Sequence, residues 1–293
     1  MAGMELCEPR DLYNILNQHW LLPRLAEPSY LCLLDVRTQR EYDEGHILTA
    51  RRVAQYLVPD SEELACVRYC VVYDYETSSL DCGDSHEGRD AEEGAAIRYA
   101  KGLEQFTRHP VLILQGGYKR FSACYHFLRT QRILWMPREL ASLQTYPVEI
   151  LPAKLYMGNF KQASDQQILK DLKIKAQVNI SEQRATLFAD SDRYLHVSVP
   201  DTLEADLFSS FPIICHFIGE LFLLCDSRDL AHCRILGGSN CDLPNRKLRW
   251  KGRNYVLKCK TNTRPHQGFV KQLLEWETKI YRTKVTDISE LDY

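Results

Sequence analysis

Three short runs of apolar residues constrain the kind of sheet the first half of this chain can build. Tyr30-Leu31-Cys32-Leu33-Leu34, the stretch Val67 to Tyr73, and Val111-Leu112-Ile113-Leu114 are continuous rather than alternating. A strand that is apolar on both sides needs cover on both faces, which is the condition of a parallel sheet wrapped by helices. The segments between the runs supply such cover. Pro9-Arg10-Asp11 opens a short helix with Leu12, Ile15 and Leu16 on one face. Glu41-Tyr42-Asp43-Glu44 is a short helix before the turn at Gly45-His46-Ile47. The third run leads into Gly116-Gly117 and a helix carrying Phe121, Tyr125 and Leu128 on one side. Strand and helix in alternation predict an α/β fold with a parallel central sheet.

The pattern breaks between Met136-Pro137 and Tyr146-Pro147, where prolines at both ends mark a linker over 136–147. A second pattern follows. Leu155-Tyr156-Met157 is a strand, Ile168, Leu169 and Leu172 mark a helix, and Ala176 to Ile180 and Tyr194 to Val199 are strands. An apolar helix then runs through Phe211, Ile214, Phe217 and Ile218. With 293 residues and 45% hydrophobic content the chain has material for two cores.

The totals narrow the function classes. A net charge of −2 gives no global attraction to nucleic acid or to an anionic membrane. No apolar run is long enough to span a bilayer, and the first ten residues, with Glu5 and Glu8, lack the apolar centre of a secretory signal. Eleven scattered cysteines without export are expected to be reduced thiols, so the expected location is cytoplasmic, with a mitochondrial or nuclear pool left open.

Several motifs carry a family resemblance. Leu33-Leu34-Asp35-Val36-Arg37, then Glu41-Tyr42 with Gly45-His46-Ile47, then the strand running into Gly116-Gly117-Tyr118 stand in the order seen in rhodanese domains. The resemblance covers 5–135. It implies a sulfur-accepting cysteine in the loop after Val71-Val72-Tyr73, and this chain has Asp74 there. Cys82 with Arg89 is the alternative, but Asp81, Asp84, Glu87 and Asp90 surround it and would repel an anionic substrate and raise the thiol pKa. The expectation is an inactive rhodanese-like domain with an acidic flexible insertion at 75–94. Inactive rhodanese modules also open the MAP kinase phosphatases, where a basic cluster docks the kinase. Arg51 and Arg52 are the corresponding partner-binding candidates.

The second half, 148–285, resembles the dual-specificity phosphatases. Ile150-Leu151-Pro152 with Leu155-Tyr156-Met157-Gly158, Val178-Asn179-Ile180-Ser181, Pro200-Asp201-Thr202 and the phenylalanine-rich helix appear in the family's order. Gly268-Phe269 to Trp276-Glu277 resembles its closing helix. Such enzymes need Cys-x5-Arg: the thiolate attacks phosphorus and the guanidinium clamps two phosphate oxygens. Cys233 falls at the nucleophile's spacing, but Ser239 stands at the arginine, and no other cysteine has arginine six residues on. Asp201 matches the general acid.

The combination resembles the STYX-like pseudophosphatases, which implies a protein that is not an enzyme, takes no small-molecule substrate and acts by contact in MAP kinase and stress signalling. The expected partners are an active phosphatase, a MAP kinase or a phosphoprotein. The segment 219–253 diverges even from that pattern. Its stretch 241–253 holds Pro244, Gly252 and five basic residues where the family has an apolar helix, so the second core is expected to be incomplete. Residual phosphatase chemistry at Cys233 and sulfur transfer at Cys82 remain as alternatives. Arg246 to Arg253 with Trp250 and Tyr255 has the charge and aromatic content for RNA, against the plainer role of an exposed cationic loop. Cys225, His232, Cys233 and Cys241 lack metal-ligand spacing, so no metal and no cofactor are expected.

Overall fold

The computed structural model describes residues 3–53, 61–80, 93–134, 136–184, 193–200, 202, 204–224, 235–237, 258–261 and 267–282. The chain divides into two compact units, Met1–Thr145 and Tyr146–Tyr293.

The first unit runs β1 (Met4–Cys7), α1 (Pro9–Leu16), β2 (Leu31–Asp35), α2 (Gln39–Glu44), β3 (His46–Ile47), β4 (Arg51–Arg52), α3 (Ser61–Cys66), β5 (Tyr69–Tyr73), α4 (Ala95–Leu103), β6 (Val111–Leu114), α5 (Gly117–Cys124), β7 (Arg129–Thr130) and α6 (Pro137–Ala141). Five of these strands form a parallel sheet in the order β1-β6-β5-β2-β4. The continuous apolar runs have the cover they require. On one face Cys32, Leu34, Cys70, Val72, Val111 and Ile113 pack with Leu64, Val67, Ala96, Ile97, Ala100 and Leu103. Leu33 and Val71 point the other way by strand alternation and are buried as well. Each fully buried large aliphatic contributes roughly 1.5–3 kcal/mol.

Local chemistry sets the short elements. Thr38 caps α2: its hydroxyl accepts the Glu41 amide while the Glu41 carboxylate accepts the Thr38 amide at 3.0 Å. Within 136–147, α6 packs on the turn Arg24–Ala26 of the first unit.

The second unit contains β8 (Val148–Leu151), β9 (Leu155–Met157), α7 (Phe160–Ala163), α8 (Gln166–Asp171), β10 (Ala176–Ile180), β11 (Tyr194–Val197), α9 (Phe211–Leu224), β12 (Ile235–Gly237) and the helix Gln267–Tyr281. Its sheet has the order β11-β10-β12-β9-β8, parallel except for the antiparallel pair β8 and β9.

The middle strand, β12, comes from inside 219–253, where the sequence suggested a missing layer. Ile235 pairs with Ala176 on one side and Leu155 on the other. Three residues are too few to show a periodicity, so tertiary pairing alone reveals this strand. Residues 225–234 and 238–257, on which the rest of that expectation falls, lie outside the described residues. The described core joins Val148, Leu155, Val178, Val197, Phe211, Ile214, Ile218 and Phe269. Gln272 ties the helix Gln267–Tyr281 to the segment before α9: its side-chain oxygen accepts the amides of Leu207 and Phe208 at 2.7 Å each, and its amide nitrogen donates to Ala205 O at 2.7 Å. Among the described residues no helix is long and apolar enough to cross a membrane.

Candidate functional site

The carboxyl ends of β2 and β5 carry a buried ionic cluster. Arg37 places Nε 3.0 Å from Asp35 Oδ1 and Nη2 2.6 Å from Oδ2, and Nη2 also donates to Gly45 O at 2.9 Å. Tyr73 donates its hydroxyl to Asp35 Oδ2 at 2.7 Å and accepts the Ile47 amide at 3.3 Å. The guanidinium lies over the Tyr118 ring at 3.7 Å. The Asp35-Val36-Arg37 motif therefore binds strand to loop rather than presenting charge outward. His46 is part of the same scaffold: it is buried, stacked on Tyr42 at 3.9 Å, with its two ring nitrogens at Tyr42 O and Arg132 O.

The loop after β5 begins with Asp74, and its carboxylate is fully engaged. Oδ1 accepts the amides of Glu76 and Thr77 at 3.2 and 2.9 Å, and Oδ2 accepts the Thr77 hydroxyl at 2.5 Å and the Ala96 amide at 3.1 Å. Ala96 lies in the first turn of α4, where backbone N–H groups attract an anion. The loop's carbonyls are taken too: Tyr118 N donates to Asp74 O, Lys119 N to Tyr75 O and Gly116 N to Thr77 O. Gly117, at φ 54°, is pressed against this loop; a Cβ there would meet the Tyr75 carbonyl carbon at 2.5 Å. The loop thus supplies its own anion and closes over it. Cys82 and Arg89 lie outside the described residues.

Arg51 and Arg52 form the edge strand β4, paired with Leu34 and Asp35 of β2. Arg51 is matched by Glu63 at 3.3 Å, with both side chains partly exposed. Arg52 is half-buried, and its Nε and Nη1 have no hydrogen-bond partner among the described residues. The two arginines therefore differ: Arg51 is partly exposed beside Glu63, whereas Arg52 keeps Nε and Nη1 shielded from solvent. In residue order the two are equivalent, because the Glu63 that separates them lies twelve residues away on a helix.

Cys233, Ser239 and Asp201 lie outside the described residues, as does the basic run Arg246 to Arg253; Cys233 and Ser239 stand on opposite sides of β12 in the chain. Cys225, His232 and Cys241 lie outside as well.

The first unit is an α/β domain with a parallel sheet closed by helices, and its residues 17–124 match the family model of the Rhodanese-like domain. The chain is similar in sequence to several dual specificity phosphatases. It is 27% identical over 304 residues to Dual specificity protein phosphatase 1 of Homo sapiens, an alignment covering 87% of this chain and 81% of that protein. It is also 27% identical over 201 residues to Dual specificity protein phosphatase 4 of Gallus gallus, covering 60% of this chain and 53% of the relative. The crystal structure of human DUSP28 superposes with a TM-score of 0.40 and 19% identity, covering 47% of this chain and 97% of that one.

These relatives overturn the expectation that the chain is not an enzyme. They are named phosphatases and align along most of its length. The exclusion had rested on one loop position, Ser239, whose surroundings are not among the described residues.

Proposed function

We propose that this chain is a phosphatase-related regulator of protein phosphorylation that works by binding other proteins, with the first unit as its recognition module and a MAP kinase as the partner class. The observation that carries this reading is the closed loop after β5. Asp74 occupies the helix N-terminus that a substrate anion would need, and Gly117 fills the remaining approach. A domain closed in this way is suited to display a surface, and the same closure argues against sulfur transfer by Cys82. The surface it offers is the edge strand with Arg51 and Arg52, whose charge suits an acidic segment of a kinase. Calorimetric titration of the full chain with MAP kinases tests this: binding weakened by Arg51→Glu supports it, and no heat with any kinase tried defeats it.

A second reading is favoured by the relatives themselves. In it Cys233 attacks phosphorus as a thiolate, Asp201 protonates the leaving oxygen, and water then cleaves the thiophosphate. Ser239 offers no bidentate clamp, so turnover is expected to be slow. Hydrolysis of a small aryl phosphate that disappears in Cys233→Ser supports this reading, and hydrolysis that survives the substitution refutes it.

A further inference from the structure

We propose that Cys32 and Cys70 form an oxidisable dithiol inside the first unit, converted to a disulfide by hydroperoxides and returned to thiols by small dithiol reductants. The two residues stand directly opposite each other in the parallel register of β2 and β5. Paired strands lie about 4.7–4.9 Å apart, inside the roughly 4.4–6.8 Å range of Cα separations that disulfides span. Both side chains point to the same face, and both are buried, at 3% and 2% exposure. No other described cysteine faces a second one across a strand pair.

The pair is asymmetric. Cys70 keeps its proton and donates a hydrogen bond to Cys32. That bond, aided by the Arg51 guanidinium, holds Cys32 below the usual thiol range against the opposing effect of burial. We assign Cys32, on the strand that pairs with Arg51, as the attacking sulfur. Its thiolate attacks the terminal oxygen of the peroxide, forming S–O and breaking O–O, and the alkoxide or hydroxide leaves with a proton as alcohol or water. Cys70 sulfur then attacks the sulfenic acid: S–S forms, S–O breaks and water leaves. The two thiols lose two electrons and the peroxide gains them.

Side chains that point the same way from adjacent parallel strands are not aimed at each other, so the bond is strained and readily reduced, the property of a labile rather than a structural disulfide. The site lies beneath the edge that carries the docking arginines. Arg51 pairs with Leu34, two residues along β2 from Cys32, so its side chain leaves the sheet on the same side.

The test uses the full chain, treated with hydrogen peroxide, alkylated after unfolding and mapped by mass spectrometry. A cross-linked peptide pair joining Cys32 to Cys70, lighter by two hydrogens and lost on reduction, supports the proposal. Cys66→Ser leaves that pair intact, and Cys70→Ser converts the product to a sulfenic acid on Cys32 that a dimedone-type probe traps. Both thiols fully alkylated at peroxide doses that oxidise exposed Cys66 and Cys124, or cross-linking of Cys32 to any other cysteine, would overturn it.

Discussion

Asp74 Oδ2 accepts the amide of Ala96 at 3.1 Å, joining the residue that follows β5 to the first turn of α4 across 22 positions of chain. A carboxylate of the chain itself thereby sits at the N-terminal turn of α4, where the helix N–H groups favour negative charge. The bond is both a cap and a plug.

As a cap, it has a measurable value. Asp74→Ala leaves the Ala96 and Thr77 amides without their acceptor, and losing such a cap costs about 0.5–2 kcal/mol. Urea unfolding of the full chain should show that loss in the transition of the first unit, with Asp74→Asn intermediate. An unchanged midpoint in Asp74→Ala would show that the cap has no weight.

The plug depends on Gly117. A methyl group there would meet Tyr75 backbone at 2.5 Å, and the positive φ adds strain for any other residue. Gly117→Ala should therefore destabilise by more than the ~1 kcal/mol that separates the two residues in an ordinary helix. Hydrogen exchange should place the new opening at Tyr75 to Thr77. A variant as stable as the parent would mean that the loop does not need this close approach.

Asp35 is the most demanding position in the first unit. It is fully buried, and Arg37 and Tyr73 both rely on it. Asp35→Ala strands a buried guanidinium, a loss of about 3–5 kcal/mol set against a typical domain stability of about 5–15 kcal/mol. Denaturant titration should show the first transition moving to much lower urea while the second stays in place. Equal movement of both would contradict the assignment of the cluster to one unit.

Buried tyrosines make the first unit sensitive to alkali. Burial holds the Tyr73 hydroxyl well above the ordinary tyrosine range, with the Asp35 charge adding to it, and burial pushes Tyr42 up to about 12. A raised folded pKa means that the neutral phenol is favoured in the fold. The associated stability is whole below the unfolded value of about 10 and is lost as pH rises from there through the folded value. Circular dichroism between about pH 9 and pH 12 should show unfolding that steepens above about pH 10. Tyr73→Phe should flatten that dependence, and a flat profile in the parent protein would refute the account.

The two edge arginines should separate in binding. Arg51 is partly exposed beside Glu63, whereas Arg52 Nε and Nη1 are buried away from solvent. Arg51→Glu is expected to weaken kinase binding about tenfold, equivalent to ~1.4 kcal/mol, and Arg52→Ala to change it less. Equal losses would mean that net charge alone is recognised.

Much of the fold was legible in residue order. The apolar runs at Tyr30–Leu34, Val67–Tyr73 and Val111–Leu114 became β2, β5 and β6 within a residue or two. The helix through Phe211, Ile214 and Ile218 became α9. The short pieces were harder: β4 has two residues and β12 three, and neither carries a period of its own. Each is a strand because its neighbours offer hydrogen bonds and its residues accept them.

Residue order by itself determined that the first half of this chain builds a parallel sheet covered on both faces, because an unbroken apolar run is stable only when both of its sides leave water. The tertiary structure alone decided what the marked residues do. It turned Asp35 and Arg37 inward to Tyr73 and Gly45, sent Asp74 to cap a helix 22 residues away, and placed Cys32 against Cys70. Those pairings join residues far apart in the chain, and a hydrogen bond depends on position in space, which only the completed packing defines.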